Sequence, residues 1–193
     1  IPNDYITTLL AQDRINKNGG KGSVLYVVPS SRIIADVVKE SGGTPIRSRV
    51  GRAFIVQGMK DHEAVFGGEF SGHYCFPEFG NFDCALLAFI NLLNILEKHE
   101  GTFSSLFEHL HRYVASGEIN VRVQDKDAVL ENIKETYSDG KLDQLDGVSI
   151  AYDHFWFNVR ASNTEPKIRI NLEAKSKQVM EEEKYKLVNL VKK

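Results

Sequence analysis

The sequence predicts an α/β domain with a mixed or parallel sheet and flanking helices, followed by a small α+β domain. Three observations lead there. Over the first hundred residues, short β-branched apolar runs alternate with amphipathic helical segments, the α/β signature. Beyond residue 117 strands follow one another, with one helix among them and another at the end. The change falls between residues 101 and 117, with Ser116-Gly117 as a candidate break and no low-complexity tether. The domains are therefore assigned to residues 1–110 and 111–193.

The elements follow in order. "NDYITTLLAQDRINKN" places Tyr5, Ile6, Leu9, Leu10 and Ile15 on one helical face, with Asn3 or Asp4 as its cap and Asn18-Gly19-Gly20 as its stop. "SVLYVV" (23–28) is an unbroken apolar run of the kind buried on both faces of a parallel sheet. A helix, "SRIIADVVKESGG", ends at Gly42-Gly43. "TPIRSRV" (44–50) is a second strand, 52–61 a helix, and "EAVFGGE" (63–69) a third strand running into glycines. Residues 82–100 form a long apolar helix, and 102–114 a further one. Then come "EINVRV" (strand), "KDAVLENIKETY" (helix), "GVSIAY", "FWFNVR" and "KIRINLEAK" (strands) and a C-terminal helix from 176. Asp153-His154 marks a hairpin.

Composition narrows the function. The 193 residues carry 24 basic and 26 acidic side chains, so no charge excess favours nucleic acid or an anionic membrane. No apolar run reaches the roughly 20 residues a membrane helix needs. The two cysteines, Cys75 and Cys84, fit no zinc spacing and read as reduced thiols of a cytoplasmic protein. The chain opens on a helix without an initiator methionine, as the interior of a longer protein would.

Two motifs carry chemistry. "GGEFSGH" (67–73) follows a strand of the first domain, at the end where α/β sheets place ligands. Glu69, Ser71 and His73 alternate, so an extended segment would aim all three to one side. A carboxylate accepts, and a serine both donates and accepts, which suits sugar hydroxyls. Read alone, the motif is equally compatible with a glycine turn whose polar residues only meet solvent. "VRASNTEPKIRI" (159–170) gathers Arg160, Ser162, Asn163 and Thr164 on a turn closed by Pro166. A guanidinium fork with hydroxyls and loop N–H groups makes a phosphate cradle. An ordinary polar turn accounts for the hydroxyls, and less well for Arg160 directly after "FWFNV". Arg47, Arg49 and Arg52 are either solvated strand-end charges or a positive rim for an anion.

In this order, and about 90 residues apart, the two motifs resemble those of the phosphohexomutase superfamily, above all its bacterial phosphomannomutase/phosphoglucomutase branch. "GTPIRSRVGRAFI", "AVFGGEFSGHYCF" and "VRASNTEPKIRINLEA" carry the resemblance over essentially the whole chain. It implies a third, α/β domain and a fourth resembling the TATA-binding-protein fold. It implies substrate contacts from Arg52, Glu69, Phe70, Ser71, Gly72 and His73, and phosphate contacts from Arg160, Ser162, Asn163 and Thr164. His73 would be a general acid/base or a phosphate contact. The implied reaction interconverts hexose 1-phosphate and 6-phosphate through a hexose 1,6-bisphosphate. The partners implied are the hexose phosphate and N-terminal domains 1 and 2 of the same parent chain, with no nucleic acid and no membrane. Mg2+ would be bound outside this fragment, which holds no "D-G-D-G-D" and no catalytic serine loop, so the fragment would be inactive alone. Arg52 stands where many relatives carry His, and Pro29 where some carry Lys. Phosphoglucosamine and phosphopentose mutases are the neighbouring branches, and a non-catalytic sugar-phosphate-binding module is the rival from another class.

Overall fold

The structure, a computed structural model, describes residues 1–162 and 164–192. It divides into two compact units, Ile1–Arg112 and Tyr113–Lys193.

The first unit runs α1 (Asn3–Lys17), β1 (Ser23–Val27), α2 (Arg32–Glu40), β2 (Thr44–Ser48), α3 (Arg52–Asp61), β3 (Phe66–Gly68), β4 (Tyr74–Phe76), β5 (Phe82–Asp83) and α4 (Ala85–Glu97). The sheet order is β2-β1-β3-β4-β5. β1 pairs in parallel with β2 and β3, and β4 runs antiparallel to both β3 and β5, so the sheet is mixed. β4 and β5 were not expected from the sequence. At three and two residues they are too short to show alternation.

Local chemistry explains most boundaries. Ser31 Oγ accepts from Ile33 N and starts α2, whose Ile33, Ile34, Val37 and Val38 are all buried. α1 differs from expectation at its start. Its N-cap is Pro2, extended at φ −61°, ψ 142°, with no side-chain cap. Asn3 and Asp4 lie inside the helix and send their side chains to other loops. The region read as a helix over 102–114 is a 3-10 segment, Phe103–Leu110, started by Thr102, and Val114 already belongs to a strand.

Two glycines set how closely helices approach β3. A Cβ at Gly67 would stand 2.8 Å from Met59 Sδ and 3.3 Å from Ile55 Cγ2, both on α3. A Cβ at Gly68 would overlap Thr7 Cγ2 and stand 2.9 Å from Thr7 Oγ1, on α1. Successive strand residues face opposite sides, so α1 and α3 cover opposite faces of β3, each resting where a side chain is missing. On the α3 side Leu25, Val27, Ile55, Met59, Ala64 and Cys75 form a core cluster. α4 is more apolar than this unit can bury: Leu86 is 68% and Phe89 58% exposed.

The second unit runs β6 (Val114–Arg122), α5 (Lys126–Thr136), β7 (Lys141–Asp143), β8 (Val148–Ala151), β9 (Phe155–Ala161), β10 (Lys167–Ala174) and α6 (Lys177–Val191). The sheet order is β6-β10-β9-β8-β7, antiparallel throughout. Alternate residues Phe157, Val159, Ile168, Ile170 and Leu172 join Ile133 of α5 and Leu187 of α6 in one core. The opposite face of β9 and β10 is polar, pairing Arg160 with Arg169 and Asn158 with Asn171. Ser116-Gly117 is no boundary. It lies inside β6, where the register to β10 shifts between Asn171 and Glu173, and Ser116 Oγ accepts from Leu172 N at 3.1 Å. Gly117, at φ +70°, makes that irregularity.

Gly68→Ala is expected to destabilise the first unit by about 1–3 kcal/mol through overpacking, seen as a lower thermal midpoint. Thr7→Ala in the same chain restores part of the loss, because the two sites share one contact. An unchanged midpoint in Gly68→Ala contradicts the contact.

Candidate functional site

β1, β2, β3 and β5 share one direction, so their carboxyl ends gather at one edge of the first sheet. The segments after them fall there: residues 29–31, 49–52, 69–73 and 84. The sequence left 69–73 open between an extended run and a glycine turn. The structure has a closed loop between β3 and β4. Glu69 N donates to His73 O and Gly72 N donates to Glu69 O, both at 2.9 Å. Gly72 sits at φ +86°, a backbone few side chains tolerate.

The loop still brings Glu69, Ser71 and His73 together, by turning rather than by alternation. Ser71 Oγ lies 2.8 Å from His73 Nδ1 and 3.4 Å from Glu69 Oε2. His73 Nδ1 lies 3.1 Å from the same Glu69 oxygen. With a proton on Nδ1, the imidazole and the hydroxyl both donate to Oε2. The other oxygen, Oε1, is buried and has no hydrogen-bond partner among the described residues. A buried acceptor left unmet costs about 1–3 kcal/mol, so it favours an incoming donor. Phe70, packed against the α3-side cluster, anchors the loop.

Arg52, at the start of α3, reaches the same edge. Its Nη2 lies 3.2 Å from Asp83 Oδ1, and its guanidinium covers the Phe82 ring at 5.1 Å. Arg49 stacks on Phe54 at 4.4 Å, so neither cation is merely a solvated strand-end charge. Phe82 and Asp83, expected as the start of the helix over 82–100, form a short strand instead, and the helix begins at Ala85. The pairing of Asp83 with Arg52 depends on β5, which was invisible in the sequence. Behind the edge, Cys75 is 2% exposed. Burial pushes its thiol up to about 12, the Asp83 and Glu69 carboxylates push the same way, and the Arg52 guanidinium opposes them. One thiol thus senses Arg52, Glu69 and Asp83 together. Among the described residues no group of three or more His, Cys, Asp or Glu could hold a metal ion.

In the second unit, Arg160 and Ser162 lie where β9 leaves the sheet. Asn163 lies outside the described residues. Arg160 Nε is buried, with no hydrogen-bond partner among the described residues. Its backing is the turn at residues 146–147. Asn158 Nδ2 donates to Asp146 O at 2.9 Å, and a Cβ on Gly147 would overlap Val159 O and stand 3.0 Å from Arg160 Cα. Ser162 is 3% exposed and holds the loop closed. Its N donates to Lys167 O at 2.9 Å, and its Oγ accepts from Glu165 N at 3.3 Å. Thr164 is exposed. Lys126 Nζ donates to Ser162 O at 2.9 Å. This second cation at the loop comes from 36 residues away, and no local pattern announces it.

Residues 2–113 match the family model described as phosphoglucomutase/phosphomannomutase, alpha/beta/alpha domain III, and residues 118–190 match the C-terminal domain of the same family. The chain belongs to the phosphoglucomutase/phosphomannomutase family. It is similar to a phosphomannomutase of Methanocaldococcus jannaschii, 40% identical over 98% of this chain and 42% of that protein. The phosphoglucomutase/phosphomannomutase family chain therefore spans less than half the length of that relative. A family protein from Burkholderia thailandensis superposes with a TM-score of 0.84 at 24% identity, over 100% of this chain and 42% of the other. An N-acetylphosphoglucosamine mutase of Aspergillus fumigatus, solved with GlcNAc-6P and magnesium, superposes at 0.62 with 15% identity, over 98% and 43%. At such identities the superpositions speak for the fold alone.

A thiol kept neutral in the fold and free to ionise when unfolded sets a direction with pH. Its contribution is full below the ordinary thiol value of 9.0 and is lost as pH rises toward about 12. Thermal midpoints are therefore expected to fall through that alkaline window. At pH 8 iodoacetamide should modify Cys75 only as fast as the chain unfolds, well behind the half-buried Cys84. Equal rates at the two cysteines contradict the burial.

Proposed function

We propose that this chain is the C-terminal, substrate-binding half of a cytoplasmic phosphomannomutase/phosphoglucomutase. The parent interconverts hexose 1-phosphate and 6-phosphate through a hexose 1,6-bisphosphate. The observation that carries the reading is Glu69: one oxygen engaged by Ser71 and His73, the other buried and unmet among the described residues. That carboxylate suits a sugar hydroxyl, and Ser71 offers a donor and acceptor beside it. Phe70 and Gly72 shape the loop, and Arg52 lends positive charge at the same edge. A bisphosphorylated intermediate must be turned around between two phosphoryl transfers. A grip on two neighbouring ring hydroxyls suits both orientations, because it does not depend on which phosphate reacts.

The second unit supplies phosphate binding through Arg160, Ser162, Asn163 and Thr164. Arg160 keeps an unmet buried N–H among the described residues, which favours an anion. Binding a phosphate that does not react serves orientation at the end that does. His73, 56% exposed in its side chain with Nδ1 facing Ser71 and Glu69, is the group for proton transfer or a phosphate contact. Mg2+ belongs to the rest of the parent.

Titrating the purified chain with mannose 1-phosphate and with inorganic phosphate tests the roles. Arg160→Ala is expected to weaken both ligands by about ten- to a hundredfold, the worth of a charged hydrogen bond. Glu69→Gln is expected to weaken the sugar phosphate alone. Equal loss of both ligands in Glu69→Gln contradicts the sugar grip, and mutase turnover by the purified chain contradicts its role as a partial enzyme.

A further inference from the structure

The first turn of α1 touches two loops of the sheet's carboxyl edge through two adjacent residues. Asn3 Nδ2 donates to Phe70 O at 3.1 Å. Asp4 Oδ2 accepts from Ser31 N at 3.0 Å, at the start of α2. The Asn3 amide also lies flat against Gly72. A Cβ built there would stand 3.1 Å from Nδ2 and 3.2 Å from Cγ and Oδ1. One turn later Thr7 rests on Gly68, the residue before the loop. The loop of Glu69, Ser71 and His73 is therefore bounded by α1 at Gly68, at Phe70 O and at Gly72.

The loop's internal bonds do not fix it fully. Two backbone hydrogen bonds close it, and Phe70 anchors it from the α3 side. Ser71 and His73 are exposed, so their bonds to one another and to the half-buried Glu69 carboxylate compete with water and are individually weak. The Phe70 carbonyl belongs to the peptide that joins Phe70 to Ser71, inside the loop that carries Glu69. A donor held on a helix there fixes that peptide plane, and with it the backbone of Ser71, whose hydroxyl meets Glu69 and His73.

We propose that Asn3 is a positioning residue for the sugar-binding loop. It acts through the Phe70 carbonyl and Gly72, without touching the sugar itself. This rests on the reading of Glu69 and Ser71 as the sugar grip. Asn3→Asp keeps the size and shape of the side chain against Gly72 but removes the N–H donor and brings a carboxylate to the Phe70 carbonyl. Asn3→Ala removes both the donor and the packing.

Two measurements on the 193-residue chain test it. The first is amide hydrogen exchange of the loop, without ligand. The Glu69 and Gly72 amides are expected to exchange about three- to tenfold faster in Asn3→Asp, the worth of one exposed hydrogen bond, while the amides of β1 keep their rates. Unchanged loop exchange in Asn3→Asp overturns the proposal. The second compares affinities for mannose 1-phosphate and inorganic phosphate. Both variants are expected to lose about three- to tenfold for the sugar phosphate and nothing for inorganic phosphate, whose site lies in the second unit. Equal losses for both ligands overturn the proposal, because a general loss of structure would act on both. If the unaltered chain binds the two ligands alike, the sugar-grip reading itself fails, and the positioning role falls with it. If it prefers the sugar phosphate and the variants keep that preference, the grip stands and the role of Asn3 is excluded.

Discussion

Helix α1 can lie where it does because Gly68 has no side chain. Thr7 fills the space a Cβ would need, and on the opposite face Met59 and Ile55 do the same at Gly67. Close-packed interiors leave little slack, so the helix positions and the glycines are one constraint. From it follow the height of α1 above the sheet, the reach of Asn3 to Phe70 and the reach of Asp4 to Ser31. The glycines of "GGEFSGH" thus divide their labour. Gly67 and Gly68 serve packing, and Gly72, at φ +86°, serves the turn.

The electrostatics of the edge are built on that frame. Glu69 from the β3–β4 loop and Asp83 from β5 both raise the buried Cys75 thiol, and Arg52 pairs with Asp83. Arg52 is therefore held by a carboxylate and an aromatic ring. In the second unit the corresponding device is steric. The turn at Gly147 presses against the backbone of Arg160, and Lys126 holds the following loop by a carbonyl.

The long periodic elements were legible in the sequence. α1, α2, α3, α5, α6 and the strands β1, β2, β8, β9 and β10 follow from apolar periodicity, from continuous apolar runs such as that of β1, and from turn residues. β4, β5 and β7 were not, since two or three residues carry no period. Their loss hid the Arg52–Asp83 pair and the true form of the glycine loop, which is a closed turn between strands. Both motifs were visible as residue types, but their neighbours were not. Asn3, Lys126 and Gly147 lie 67, 36 and 13 positions from Phe70, Ser162 and Arg160, which they meet, distances over which sequence pattern carries no signal.

The central claim is that the β3–β4 loop reads a sugar and the β9–β10 loop reads a phosphate. The most direct measurement is a residue-by-residue amide NMR titration of the chain with mannose 1-phosphate, repeated with inorganic phosphate. The account predicts that the sugar phosphate shifts the amides of residues 69–73 and those of 160–167, while inorganic phosphate shifts only the second set. Shifts confined to 160–167 with both ligands would contradict it.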